Sequence, residues 1–304
     1  MTAVDRAGRV YDRGYRPYDG ELGGRAAARL ALFRASVRRA LGMRRSWRQK
    51  LFPWVLLAIA TVPAVVNVGV AYLTRDQFED AIEIITYREY VGVSTALLVF
   101  VGLTAPDVIC PDRRHRMLPL LFSRPLTGAD YVVAKVGAIA AIVFAFGFLP
   151  QVLLFVGQML VSDAAIDYLT DNAEVLWQVP VAVALLALYY ASLAVAIASF
   201  ATRRIVAAAA LLILLLVTSI TAGILAGPEE RHLPGAIDDG GSAWAAVNLL
   251  AAPLHVRDLV FEGEIVDGRL VGVAGGPAIA LAVYLTVVGA SLGTLLWRYR
   301  WVEA

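Results

Sequence analysis

The chain has 304 residues, of which 59% are hydrophobic and only 17% charged, with a mean hydropathy of +0.68. That composition excludes a single water-soluble globule, and its unbroken Leu, Ala, Val and Ile runs predict spanning helices rather than the alternating strands of a β-barrel. The net charge is +2, and every basic residue except Lys50 and Lys135 is arginine, a balance with no phosphate-binding design, so nucleic acid is not an expected partner. Cys110 is the only cysteine; an intrachain disulfide is excluded and the thiol reads as a small packed apolar group.

In chain order, residues 1–50 form an N-terminal segment too long, too polar and too arginine-rich for a cleaved secretory signal. Residues 11–20 are turn-rich, whereas 24–43 suit a helix lying in the membrane interface, with Leu30, Phe33, Val37 and Leu41 on one arc and Arg25, Ser36 and Arg39 opposite. Arg44, Arg45, Arg48 and Lys50 then meet the first span. Apolar windows predict six spans near 51–73, 90–109, 131–161, 175–201, 205–227 and 271–297, one transmembrane domain over 51–297, followed by a short tail at 298–304. Between spans five and six, residues 228–270 include an apolar stretch, Ala243 to Leu254, too short to cross and expected to dip in or lie on the surface.

Charge sets the expected orientation. On alternate sides of the spans, one face carries 22 of the 27 basic residues and the other 17 of the 25 acids, so the positive-inside rule puts both termini in the cytoplasm. No Asp, Glu, Arg, Lys or His lies near mid-span; Asp107 and Lys135 fall near the cytoplasmic ends. The groups that bind and release a coupling ion in pumps and secondary carriers are therefore missing. Asn67, Gln151, Gln158, Tyr189, Tyr190, Ser192, Thr218 and Ser219 are polar residues in the spans, read as interhelical hydrogen bonding, with a substrate path through Asn67, Gln151, Gln158, Tyr189, Ser192 and Thr218 as the alternative. Pro63 and Pro150 predict kinks. Gly289 and Gly293 form a G-x-x-x-G expected to pack within the chain.

The most informative stretch runs from Cys110 to Lys135. Asp112, Arg113, Arg114, His115 and Arg116 precede the apolar run Met117–Phe122, which predicts a short amphipathic helix with Leu118, Leu121 and Phe122 as its contact face. Pro125 ends that element, and Thr127 with Asp130 predicts the N-terminal cap of the third span. The acidic-basic start, the Leu-Leu pair, Ser-Arg-Pro-Leu at 123–126 and the later Lys resemble the loop between spans two and three in permeases of the type-2 ATP-binding-cassette (ABC) exporter family. More weakly, the whole chain resembles them.

The resemblance implies an all-α membrane protein with six transmembrane helices, an N-terminal interfacial helix, a coupling helix after span two and short external re-entrant helices before span six. It implies an ATPase subunit docked on Asp112, Arg113, Arg114, Arg116, Leu118, Leu121, Phe122 and Arg124, and a second permease copy. The chain has no G-x-x-x-x-G-K-[ST] nucleotide loop, so no cofactor is expected on it, and ATP and Mg²⁺ would sit on the partner. The location implied is the bacterial cell membrane. A non-transporting scaffold or signalling subunit is the alternative; a membrane-embedded enzyme is disfavoured because His115, His232 and His255 lie in separate loops without H-E-x-x-H or G-x-S-x-G.

Overall fold

The computed structural model describes residues 23–43, 47–74, 86–91, 95–123, 125–162, 164–226, 241–266 and 268–300. Among them the chain is wholly helical: α1 (Gly24–Ala40), α2 (Trp47–Thr74), α3 (Tyr87–Tyr90), α4 (Thr95–Arg114), α5 (Leu118–Phe122), α6 (Gly128–Val161), α7 (Ala165–Asp171), α8 (Val175–Phe200), α9 (Arg204–Leu225), a 3-10 turn (Ala243–Val247), α10 (Ala252–Phe261) and α11 (Gly276–Arg300). Within α2, and over all of α6, α8, α9 and α11, five helices are long and apolar enough to cross a membrane, so this is a membrane-embedded all-α protein. The turn-rich residues 11–20, Arg44, Arg45, Arg124 and His232 lie outside the described residues.

The bundle is organised around α8. Seventy-two per cent of its most apolar window is buried, against 17% for α2; α8 packs against α4, α6, α9, α10 and α11, while α2 leans mainly on α6 and α4. At the α2–α6 crossing Gly157 admits Val68 so closely that a Cβ there would come within 2.8 Å of its Cγ1. Asn67 and Gln158 meet at the same crossing.

The helix expected as span two, α4, differs from the five in kind. Its last turns carry Asp107, Asp112, Arg113 and Arg114 along with Pro106 and Pro111. It tolerates them because Val101, Ala105, Val108 and Ile109 are fully buried among neighbouring helices, which shield it from lipid. Its two prolines, and Pro150 of α6, remain inside unbroken helices.

The third span is longer than expected. Its capping box is the one anticipated: Thr127 Oγ1 accepts from the Asp130 amide at 3.3 Å and Asp130 Oδ2 accepts from the Thr127 amide at 3.1 Å, which satisfies two orphan donors and fixes the first turn. From there α6 runs 34 residues, about 51 Å.

Two expectations are corrected. Among the described residues the G-x-x-x-G of α11 packs on nothing, because α11 turns Ala280, Tyr284, Val288, Ser291 and Leu295 inward and leaves Gly289 and Gly293 with nothing within 4 Å of a Cβ on either. On α1 Phe33, Val37 and Leu41 of the expected arc are half-buried against the core, but the fully buried stripe is Leu32, Ser36 and Ala40, and Leu30 is exposed. Ser36 can be buried because its hydroxyl donates to the Leu32 carbonyl at 2.8 Å, which removes the usual cost of hiding a polar group.

The apolar stretch 243–254 is not one helix. Asn248 interrupts it: its Oδ1 accepts from the amides of Leu250 and Ala251 at 3.1 and 3.2 Å, starting α10 afresh. The phenols of Tyr189 and Tyr190 donate to the carbonyls of Leu249 and Leu250, each at 2.9 Å, so α8 holds this segment against the bundle. Arg257 and Asp258 of α10 are buried as a pair at 2.6 Å, and Arg88 reaches Asp258 from α3 at 3.3 Å.

Candidate functional site at the basic end of the bundle

The start of α6 and the ends of α4, α8 and α11 meet at one end of the molecule, with α1 alongside and α5 between α4 and α6. The α4–α5 junction is a helix stop of the Schellman type. The Met117 amide donates to the Asp112 carbonyl at 2.9 Å and the Arg116 amide to that of Arg113 at 3.1 Å, with Arg116 at a φ of 51°. Glycine is the usual occupant of such a position because a Cβ crowds the left-handed conformation. This chain reverses direction there on an arginine.

Beneath the junction lies a buried ion network centred on Asp112. Its Oδ2 is 2.6 Å from Lys135 Nζ of α6 and accepts from the Tyr131 phenol at 3.1 Å, while Oδ1 accepts from Arg39 of α1 at 2.6 Å. Lys135 also donates to the Val108 carbonyl at 3.0 Å. One carboxylate thus joins α1, α4 and α6, and two cations with a phenol compensate its desolvation. The Tyr131 ring lies 4.8 Å from that of Tyr299, bringing α11 into the same cluster.

Further links radiate from this centre. Arg113 donates to the carbonyls of Ser199, at the end of α8, and of Ala201 beyond it. Arg204 of α9 is 2.5 Å from Asp107 of α4. Arg25 binds Asp130 at 2.6 Å and Thr127 at 3.0 Å, clamping α1 to the cap of α6. Cys110 is buried, its sulfur 3.9 Å from the Ala198 carbonyl.

The anticipated coupling residues therefore divide into two groups. Asp112 is buried in the network and Arg113 is partly buried against the end of α8, so both work as internal ties. Leu118, Leu121 and Phe122 are half-buried and pack on the bundle core, with the Phe122 ring 6.1 Å from Tyr131. Outward stand Arg114, His115, Arg116 and Met117, with Leu120 65% exposed. The apolar group that α5 offers to solvent is Leu120, on the side opposite the expected face.

The candidate path residues are each engaged inside the bundle. Gln158 Nε2 donates to Asn67 Oδ1 at 3.4 Å, Gln151 to the Tyr87 carbonyl at 3.4 Å, Ser192 to the Tyr189 carbonyl at 3.0 Å and Thr218 to the Leu214 carbonyl at 2.9 Å. Tyr189, as above, holds Leu249. Among the described residues no group of three or more His, Cys, Asp or Glu side chains could hold a metal ion.

Sequence reasoning did not assign a role to Lys135, Arg39, Tyr131 or Leu120. The signal for Lys135 was present: a lysine followed by a long apolar run must bring a carboxylate with it or be discharged, and Asp112 is the acid that α4 ends on.

No family model matches the chain, and no curated protein matches it.

Proposed function

We propose that the chain is the permease subunit of an ABC exporter, working as a pair of copies with a separate ATPase that binds and hydrolyses ATP with Mg²⁺. The observation that carries this reading is the rigid elbow between α4 and α6. It presents Leu120 and Met117 among Arg114, His115 and Arg116, on a backbone tied underneath by Asp112 to three helices. A small apolar knob ringed by cations fits a partner's cleft with acidic walls, and burial of Leu120 there would supply the anchor of the contact. Force delivered to the elbow passes into α4, α6 and α1 together, as rigid-body rocking between inward-open and outward-open bundles requires.

On this reading α4 with α3 is the sixth crossing. Support comes from its ends: Arg88 of α3 pairs with Asp258 of α10, whereas Asp112 lies in the basic-end network. The basic end is then cytoplasmic by the positive-inside rule, in the cell membrane of a bacterium. The lack of mid-span charge favours an apolar or amphipathic substrate.

The test is purification of the tagged full-length chain from native membranes in mild detergent, with the intact mass and ATP hydrolysis of the complex measured. Two permease copies with a hydrolysing ATPase are expected, and Leu120→Asp should keep the permease folded and lose the ATPase. A permease recovered repeatedly without an ATPase would reject the reading. An assembled complex that hydrolyses ATP but moves no substrate in vesicles would favour a signalling scaffold instead.

A further inference from the structure

Helix α1 carries five arginines and no acid, and the fold uses them unequally. Arg25 and Arg29 approach Asp130 at 2.6 and 3.8 Å, and Arg39 binds Asp112 at 2.6 Å. Arg34 and Arg38 are exposed and make no ion pair among the described residues. They fall one turn apart in line with exposed Leu30. This stripe lies two residues round from buried Leu32, Ser36 and Ala40, about 200° at 100° per residue, on the side of α1 facing away from the bundle.

The height of α1 follows from its contacts. Arg25 binds Asp130, and the Phe33 ring lies 3.8 Å from a Cβ placed on Gly137, so α1 rides along the first quarter of α6. At about 51 Å, α6 exceeds a hydrocarbon core of roughly 30 Å. If the basic start of α6 is the end that projects, its surplus turns fall in the headgroup layer and α1 falls there with them.

We propose that the Leu30, Arg34 and Arg38 stripe binds the anionic phosphodiester headgroups of the leaflet at the basic end. The two guanidinium forks donate to phosphate oxygens, and Leu30 enters the acyl boundary. A bilayer fits better than an acidic protein because two cations and an exposed leucine share one outward face beside spanning helices, the pattern of an interfacial helix. The contact links lipid charge to the same helix that clamps Asp112 and Asp130. It holds whatever the bundle transports.

Cys110 is buried, so Ala35→Cys gives a single reactive thiol between the two arginines. The full-length variant, carrying an environment-sensitive fluorophore there, is reconstituted into phosphatidylcholine vesicles with and without about 30% phosphatidylglycerol, and quenching by neutral acrylamide is measured. The quenching constant should fall about threefold with the anionic lipid and recover in ~0.5 M salt, where charge attraction is screened. Adding Arg34→Gln and Arg38→Gln should abolish the difference while leaving the melting temperature in neutral lipid unchanged, because both side chains are exposed. Equal quenching in the two lipids would overturn the proposal, as would lipid-dependent protection that survives the double substitution. Protection that needs a co-purified protein instead of phosphatidylglycerol would assign the face to that protein and also overturn it.

Discussion

Lys135 Nζ lies 2.6 Å from Asp112 Oδ2, between side chains that are each less than 5% exposed. Removing one partner strands a buried charge, so Lys135→Met and Asp112→Leu should each cost about 3–5 kcal/mol. The double variant Asp112→Leu with Lys135→Met should cost clearly less than the sum, because no stranded pair remains. Thermal unfolding of the four proteins in one detergent closes the cycle. Strict additivity would mean that the two groups do not stabilise each other.

Arg116 holds a left-handed backbone at φ 51°, where a Cβ costs roughly 1–2 kcal/mol relative to glycine. Arg116→Gly should fold at least as stably as the parent, and Arg116→Val should lose about 1–2 kcal/mol, since β-branching crowds that conformation further. If the proposed ATPase docks on this elbow through the arginine's charge, the glycine variant pairs undiminished stability with weaker co-purification of that partner. Melting temperature and co-purification yield, measured on the same preparations, separate the two effects.

Gly157 sits against Val68 where a Cβ would come within 2.8 Å of Cγ1. Gly157→Ala should therefore push α2 from α6 and destabilise by about 1–3 kcal/mol, lengthening the Asn67–Gln158 hydrogen bond at the same crossing. Val68→Ala in the same chain should restore most of the loss. A Gly157→Ala protein as stable as the parent would show that α2 packs elsewhere.

What the amino acids disclosed unaided depended on whether a signal was local. Thr127 and Asp130 form their box from residues three apart, and the long apolar runs end within a few residues of their windows, because hydropathy and capping are properties of neighbouring residues. Direction was harder. The hydrophobic arc of α1 looked centred near Phe33 and Val37, yet Ser36 lies in the buried stripe, because Asp130 and Asp112 of other helices hold Arg25 and Arg39. Leu121 and Leu120 are adjacent leucines, and only the position of the bundle relative to the Arg116 turn decides which points out. Gly289 and Gly293 likewise satisfy a packing pattern that the rotation of α11 leaves unused. In the site itself the stretch 110–122 was recognisable, but the joining of Asp112 to Lys135 and Arg39 depended on three helices meeting.

The adjacent phenols of Tyr189 and Tyr190 donate to adjacent carbonyls, Leu249 and Leu250, and so tie the segment over residues 243–261 to α8. Tyr189→Phe or Tyr190→Phe keeps the ring and removes one donor, leaving a buried carbonyl short of a partner, at a cost of about 1–2 kcal/mol each. The two bonds restrain one segment, so losing both should free the 3-10 turn Ala243–Val247 and α10 locally before it unfolds the bundle. Hydrogen exchange of the Tyr189→Phe, Tyr190→Phe protein should show faster exchange at residues 243–261 and unchanged protection in α6 and α8. Exchange that rises equally across α8 would mean that the tyrosines hold up the core rather than the segment lying on it.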